Sequence, residues 1–382
     1  MREDQYDNFN AGPAALPPKV ISAVQSALTG IEGGPGIMEL SHRSSAFDGV
    51  INQAREQIAQ LYKLPESHEV LFLQGGASLQ FAMFAMNLGV RGGFITTGEW
   101  SRRALAESRT LATAGSEVPV ELWSSEERGF RDVPQASISL SSDDADLNYI
   151  HLTSNNTIYG TQYASLPILD MPEEGSVQGS DIPLIIDASS DIFSRPLDWS
   201  RIGLLYAGAQ KNAGPSGVTL VIGRRDWLRA DPVFNHCPKI LRYRTHAEKN
   251  SLYHTPNTLG IFTVGEVAKW VAERGGVEAM RSRSQTRAND LYQVIDAYPD
   301  VFTGHASVNA RSLMNITFRG ANDEIEQMLL NRAQTANMIG LKGHRSVGGL
   351  RASLYNAVSD ESVSRLVSLV DEVGRRYTSS HS

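Results

Sequence analysis

Between Glu69 and Ile222 short apolar runs alternate with helical patterns, and this alternation constrains the fold more than any other feature of the chain. Short apolar runs bounded by turn formers suit buried strands, and helical segments between them suit a mostly parallel sheet covered by helices. Seven strands are expected, at Val70–Leu73, Gly93–Thr97, Val118–Trp123, Tyr149–Thr153, Leu184–Asp187, Leu204–Ala207 and Val218–Ile222. The polar breaks Ser141-Ser142-Asp143-Asp144 and Pro172-Glu173-Glu174-Gly175-Ser176 read as surface loops.

Beyond Thr258 the pattern changes. Val264, Val267, Ala268 and Val271 share one helix face, as do Ile325, Met328 and Leu329, and Val363, Leu366, Val367 and Val370. Strands at Met314–Phe318 and Leu350–Leu354 would give this part its own sheet. A chain of 382 residues is too long for one compact core. The fold class is therefore α/β, a large domain over 16–258 and a smaller α/β domain built from 1–15 and 259–382.

A formal net charge of −7 argues against a nucleic-acid partner, which needs a concentrated basic surface. The polar, acidic stretch Met1-Arg2-Glu3-Asp4-Gln5-Tyr6-Asp7 cannot supply the apolar part of a signal peptide, and no run is long enough to cross a bilayer. Cys237 is the single cysteine, which excludes an internal disulfide and fits a reducing cytoplasm. His236 and Cys237 adjoin without the further ligands of a metal site, so no metal is expected.

The chemistry points to Ala209-Gln210-Lys211-Asn212-Ala213, which sets one lysine on a turn between two apolar runs. Asp187 closes another apolar run upstream. A lysine can form a Schiff base with an aldehyde cofactor, and an aspartate can keep a pyridine nitrogen protonated, so the pair suggests a pyridoxal phosphate enzyme. Such a lysine must lose its proton near neutral pH, which burial and neighbouring cations would favour. Gln74-Gly75-Gly76-Ala77-Ser78, between a strand and an apolar helix, offers glycines and free amides to a phosphate.

Four separated segments carry a resemblance: Phe9-Asn10-Ala11-Gly12-Pro13-Ala14, Met38-Glu39-Leu40-Ser41-His42-Arg43, Tyr206 through Asn212, and Lys342 through Ser353. Over nearly its whole length the chain resembles the phosphoserine aminotransferase branch of the class V aminotransferases, which have the pyridoxal phosphate fold type I. The resemblance implies that Lys211 is the Schiff-base lysine, Asp187 the partner of the ring nitrogen and Trp100 the residue stacked on the ring. It places Thr157 near the ring hydroxyl or Asp187, and Gly76, Ala77, Ser78 and Gln210 around the cofactor phosphate. His254 and Thr255 would reach that phosphate from a partner subunit in a homodimer with shared active sites. His42, Arg43, His344 and Arg345 match positions that bind a substrate phosphate, and Arg351 the one that grips its carboxylate. The implied reaction is ping-pong transamination of 3-phosphooxypyruvate with L-glutamate, giving O-phospho-L-serine and 2-oxoglutarate.

Two positions depart from that pattern: Ser78 stands where some members carry an arginine, and His254 where asparagine is usual. Two other readings stay open. One is a class V aminotransferase acting on an unphosphorylated substrate, which would leave the two His-Arg pairs without a dianion. The other is a binding protein that keeps the fold without the chemistry.

Overall fold

The computed structural model describes residues 6–112, 117–144, 146–170 and 182–381. Its centre is a seven-stranded sheet, in the order His68–Leu73, Thr219–Arg224, Ile202–Gly208, Leu184–Asp187, Tyr149–Thr153, Gly92–Thr96 and Val120–Ser124. Thr219–Arg224 runs antiparallel to both its neighbours, and the other adjacent pairs are parallel. All seven strands coincide with expected ones, the Val118 run starting two residues later and ending one later than read.

The two-residue period of a strand distributes the apolar side chains between two faces. Leu184, Ile186, Leu205, Ala207, Leu220 and Ile222 join one core cluster, whereas Ile185, Leu204, Tyr206 and Val221 join the other. On the first face lie the helices Ser45–Tyr62 and Thr258–Glu273. On the second lie Gly76–Leu88 and Glu99–Leu111. Burial on both faces explains why these strands read as continuous apolar runs.

A separate core gathers Phe9, the later part of the helix Gly276–Asp296, and the helices Asp323–Thr335 and Asp360–His381. They cover an antiparallel sheet of Phe302–Gly304, Asn315–Gly320 and Leu350–Ser353. The first of these strands has too few apolar residues to be read from sequence. Asp7–Asn8 pairs in parallel with Met338–Ile339, tying the N-terminal segment to this unit.

One expectation is corrected. The helix Thr258–Glu273, assigned above to the smaller domain, packs in the first core, with Ile261, Val264, Val267, Ala268 and Val271 buried there. Gly265 lets it approach Ser45–Tyr62 closely: a Cβ would lie 2.9 Å from that of Ala54. The apolar face was legible, but not the partner it meets. Of the expected loops, Ser142–Asp144 forms a short 3-10 turn. Pro172–Ser176 lies outside the described residues.

Candidate active site

The turns that leave the carboxyl ends of the parallel strands meet at one edge of the sheet, where open α/β sheets place their sites. Asp187 ends one strand, and Lys211 sits on the turn after the adjacent strand Ile202–Gly208. Thr157 follows Tyr149–Thr153, and Trp100 follows Gly92–Thr96 at the start of a helix.

Lys211 Nζ donates to Thr157 Oγ1 at 2.7 Å and lies 5.3 Å from the centre of the Trp100 indole. Burial pushes its ammonium down to about 8, against the opposing pull of Asp187, and Arg351 lowers it further. The expected depression thus has burial as its main cause.

Asp187 is 3% exposed. Its Oδ1 accepts from the Ser189 amide at 3.0 Å and from Ser189 Oγ at 2.6 Å, while Oδ2 makes no hydrogen bond among the described residues. Ser189 Oγ in turn accepts from the Gly208 amide at 3.0 Å, so one hydroxyl latches the carboxylate to the strand that leads to Lys211. Burial raises the Asp187 carboxyl and the Lys211 charge opposes that rise. Sequence reasoning gave Ser189 no role. The signal was present in Asp187-Ala188-Ser189, the spacing of an Asx turn.

From the second unit comes Arg351, on the strand Leu350–Ser353. Its Nη1 donates to the Thr157 carbonyl at 3.2 Å, and its buried Nε has no hydrogen-bond partner among the described residues. The adjoining contacts fix this unit on the sheet edge: Asn155 Nδ2 to Asn315 Oδ1 at 2.7 Å, the Asn356 backbone amide to Asn212 Oδ1 at 2.9 Å, and Asn356 Nδ2 to the Phe193 carbonyl at 2.8 Å. Gly12 rests on the lysine itself, at φ +138°, where an added Cβ would meet Lys211 Cγ at 3.1 Å.

Gly76, Ala77 and Ser78 open the helix Gly76–Leu88. Gly75 and Gly76 have φ of +90° and +67°, and a Cβ at Gly75 would collide with Leu79 at 2.4 Å. This left-handed entry leaves the first-turn amides directed out of the helix, where an anion is favoured. Gln210 precedes Lys211, and its carbonyl accepts from the Ala14 amide at 2.9 Å.

His344 and Arg345 lie on the segment leading to Arg351. Burial and the charges of Arg351 and Arg345 push the His344 imidazolium down. His344 Nδ1 lies 2.6 Å from Ser346 Oγ, and Arg345 is exposed. His42 and Arg43 occupy the surface turn before Ser45–Tyr62. His254 and Thr255 lie on another surface segment, His254 Nδ1 being 3.0 Å from the Thr255 carbonyl. No hydrogen bond, ion pair or ring contact joins these four to Lys211 among the described residues.

A cavity of about 360 Å³ lies elsewhere, between Gln162, Arg195, Tyr292 and Arg311. Two of its arginines are already paired, Arg195 with Asp191 and Arg311 with Asp296. The chemistry therefore belongs at the sheet edge.

A half-buried lysine and a buried carboxylate on adjacent strand ends, with an indole beside the lysine and an anion-ready helix start at the same edge of the sheet, define an aminotransferase of the pyridoxal phosphate fold type I. The model of the family "Aminotransferase class-V" matches residues 7–366, and the chain belongs to that family. It is 48% identical to the phosphoserine aminotransferase of Lysinibacillus sphaericus, over 94% of this chain and 95% of that one. The solved structure of phosphoserine aminotransferase from Bacillus circulans subsp. alkalophilus is 42% identical, with a TM-score of 0.89 over 98% of this chain and 100% of that one. Pyridoxal phosphate-bound phosphoserine aminotransferase from Trichomonas vaginalis is 31% identical, with a TM-score of 0.82 over 96% and 99% of the two chains.

Proposed function

We propose that this chain transfers the amino group of L-glutamate to 3-phosphooxypyruvate, giving 2-oxoglutarate and O-phospho-L-serine, with pyridoxal 5'-phosphate as cofactor. The observation that carries the reading is the convergence on Thr157: the Lys211 amine at its hydroxyl and the Arg351 guanidinium at its carbonyl. One residue thereby sets a nucleophilic amine beside a group suited to a substrate carboxylate.

The residues fit the cofactor. Asp187 is a buried carboxylate with one uncommitted oxygen, suited to a cationic ring nitrogen. The Trp100 face lies beside the lysine, and the amides of Gly76 and Ala77, with Ser78 and Gln210, suit a phosphate. Pyridoxal phosphate, when bound, supplies a carbonyl carbon that takes up the amino group and a ring that draws electrons from the substrate Cα.

The chain's own groups do the rest. Arg351 binds the substrate carboxylate as a planar fork and so turns the Cα–H toward Lys211. Lys211 Nζ takes the proton from Cα, which its lowered pKa permits near neutrality. Asp187 keeps a proton on the nitrogen opposite it, and Ser189 keeps Asp187 in place.

His344 and Arg345 hold the phosphate of the substrate. A second copy of the chain supplies His42 and Arg43 to the substrate phosphate and His254 and Thr255 to the cofactor phosphate, making a homodimer with shared sites. Their surface position, and the absence among the described residues of a hydrogen bond, ion pair or ring contact from any of them to Lys211, support this. The setting is the cytoplasm, and no helix of the described residues is long and apolar enough to cross a membrane.

The test adds O-phospho-L-serine, L-alanine or L-serine separately to the holoenzyme and follows bleaching of the cofactor's visible band. Phosphoserine should act at far lower concentration than the other two. Equal or better bleaching by alanine or serine would overturn the phosphorylated substrate in favour of another class V activity.

A further inference from the structure

Glu99, Trp100 and Arg103 form a fixed group at the start of the helix Glu99–Leu111. Arg103 Nε donates to Glu99 Oε1 at 2.7 Å, and its guanidinium carbon lies 5.2 Å from the centre of the Trp100 ring. The same indole is 5.3 Å from Lys211 Nζ. Only Nε of Arg103 is committed: its two terminal nitrogens make no hydrogen bond among the described residues, and the side chain is 56% exposed. Glu99 is itself 18% exposed, and the Arg103 and Arg102 bonds outweigh its burial to keep it a carboxylate.

The charges of Arg103 and Glu99 also reach the His344 imidazole, alongside those of Arg351 and Arg345. A guanidinium with two uncommitted nitrogens thus rests on the indole that faces Lys211, within electrostatic reach of the segment assigned to the substrate phosphate. An arginine held at Nε loses less freedom on binding an anion with its other nitrogens than one that must be ordered first.

We propose that Arg103 is a specificity-determining residue for a phosphorylated substrate, its terminal nitrogens binding the phosphate while Glu99 anchors its Nε against Trp100. The inference rests on the phosphorylated-substrate reading above. Glu99 has a second effect: its negative charge beside the fork disfavours a bare cationic site and repels a substrate whose distal anion is misplaced.

The test compares O-phospho-L-serine with L-serine, which has the same skeleton without the phosphate, in single-turnover bleaching by wild-type, Arg103→Met and Arg103→Lys holoenzymes. Inhibition by inorganic phosphate is measured alongside. In Arg103→Met the preference for phosphoserine over serine should fall about tenfold or more, and phosphate should inhibit more weakly by a similar factor. Arg103→Lys should recover part of both, because it keeps a cation but not the fork. An equal loss for both amino acids would assign Arg103 only to holding Trp100 and overturn the proposal, as would no change in either. Should the wild-type enzyme show no preference for phosphoserine, the phosphorylated-substrate reading falls first and this inference with it.

Discussion

Lys211 Nζ and Arg351 Nη1 bond to the same residue, the amine to the Thr157 hydroxyl at 2.7 Å and the guanidinium to the Thr157 carbonyl at 3.2 Å. A side-chain change at position 157 can reach the first bond and spare the second, because the carbonyl belongs to the backbone. The two halves of the site can therefore be separated experimentally.

Thr157→Val removes the hydroxyl from a buried position and keeps the branched shape. Hydrogen bonds to charged groups contribute about 1.5–3 kcal/mol, so kcat should fall by roughly tenfold or more while KM for the amino substrate changes by less than about threefold. Steady-state kinetics with saturating cofactor test this. A large rise in KM with unchanged kcat would contradict it.

The reactivity of Lys211 should rise with pH through about 8. The sign follows from burial, which disfavours the ammonium and so lets the proton leave below the usual lysine range of about 10.4. At pH 6 most of the amine is protonated and unreactive, and above pH 9 most of it is free. The rate at which apoprotein takes up pyridoxal phosphate should follow that curve, and a midpoint near 10 would show that the amine is not desolvated in solution.

Arg351→Ala and Arg345→Ala should differ in kind. The first removes the carboxylate fork, so half-saturation should rise by roughly 10- to 100-fold for L-serine and O-phospho-L-serine alike. The second should weaken only the phosphorylated substrate. Titrating both variants with both amino acids measures the contrast, and a loss confined to phosphoserine in Arg351→Ala would reverse the assignments.

Gly12→Ala introduces a Cβ at φ +138°, 3.1 Å from Lys211 Cγ. Backbone in this region costs a residue with a side chain about 1–3 kcal/mol, so thermal unfolding should shift to lower temperature. The displaced lysine should also take up cofactor more slowly. An unchanged melting temperature together with an unchanged uptake rate would show that the segment moves aside freely.

Much of the fold was legible because the information is local. Leu184-Ile185-Ile186-Asp187 reads as a strand since every second residue meets one face of the sheet and both faces are buried. The helix Thr258–Glu273 was equally legible as a helix, yet its place was misread, because periodicity names an apolar face without naming what covers it. Ala54, which Gly265 approaches, lies more than two hundred positions earlier.

The site divides in the same way. Lys211 and Asp187 could be singled out from sequence because each stands where an apolar run ends, and a strand end on a parallel sheet is where chemistry is placed. The double use of Thr157, the bond from Gly208 to Ser189 and Gly12 against the lysine were decided by tertiary structure alone, whereas Arg103 over Trp100 is a local pair one helical turn apart. Thr157 and Arg351 are separated by 194 positions, and Asn212 and Asn356 by 144. Contacts of that range arise only when two cores have docked, and no pattern of neighbouring residues encodes the distance between their side chains.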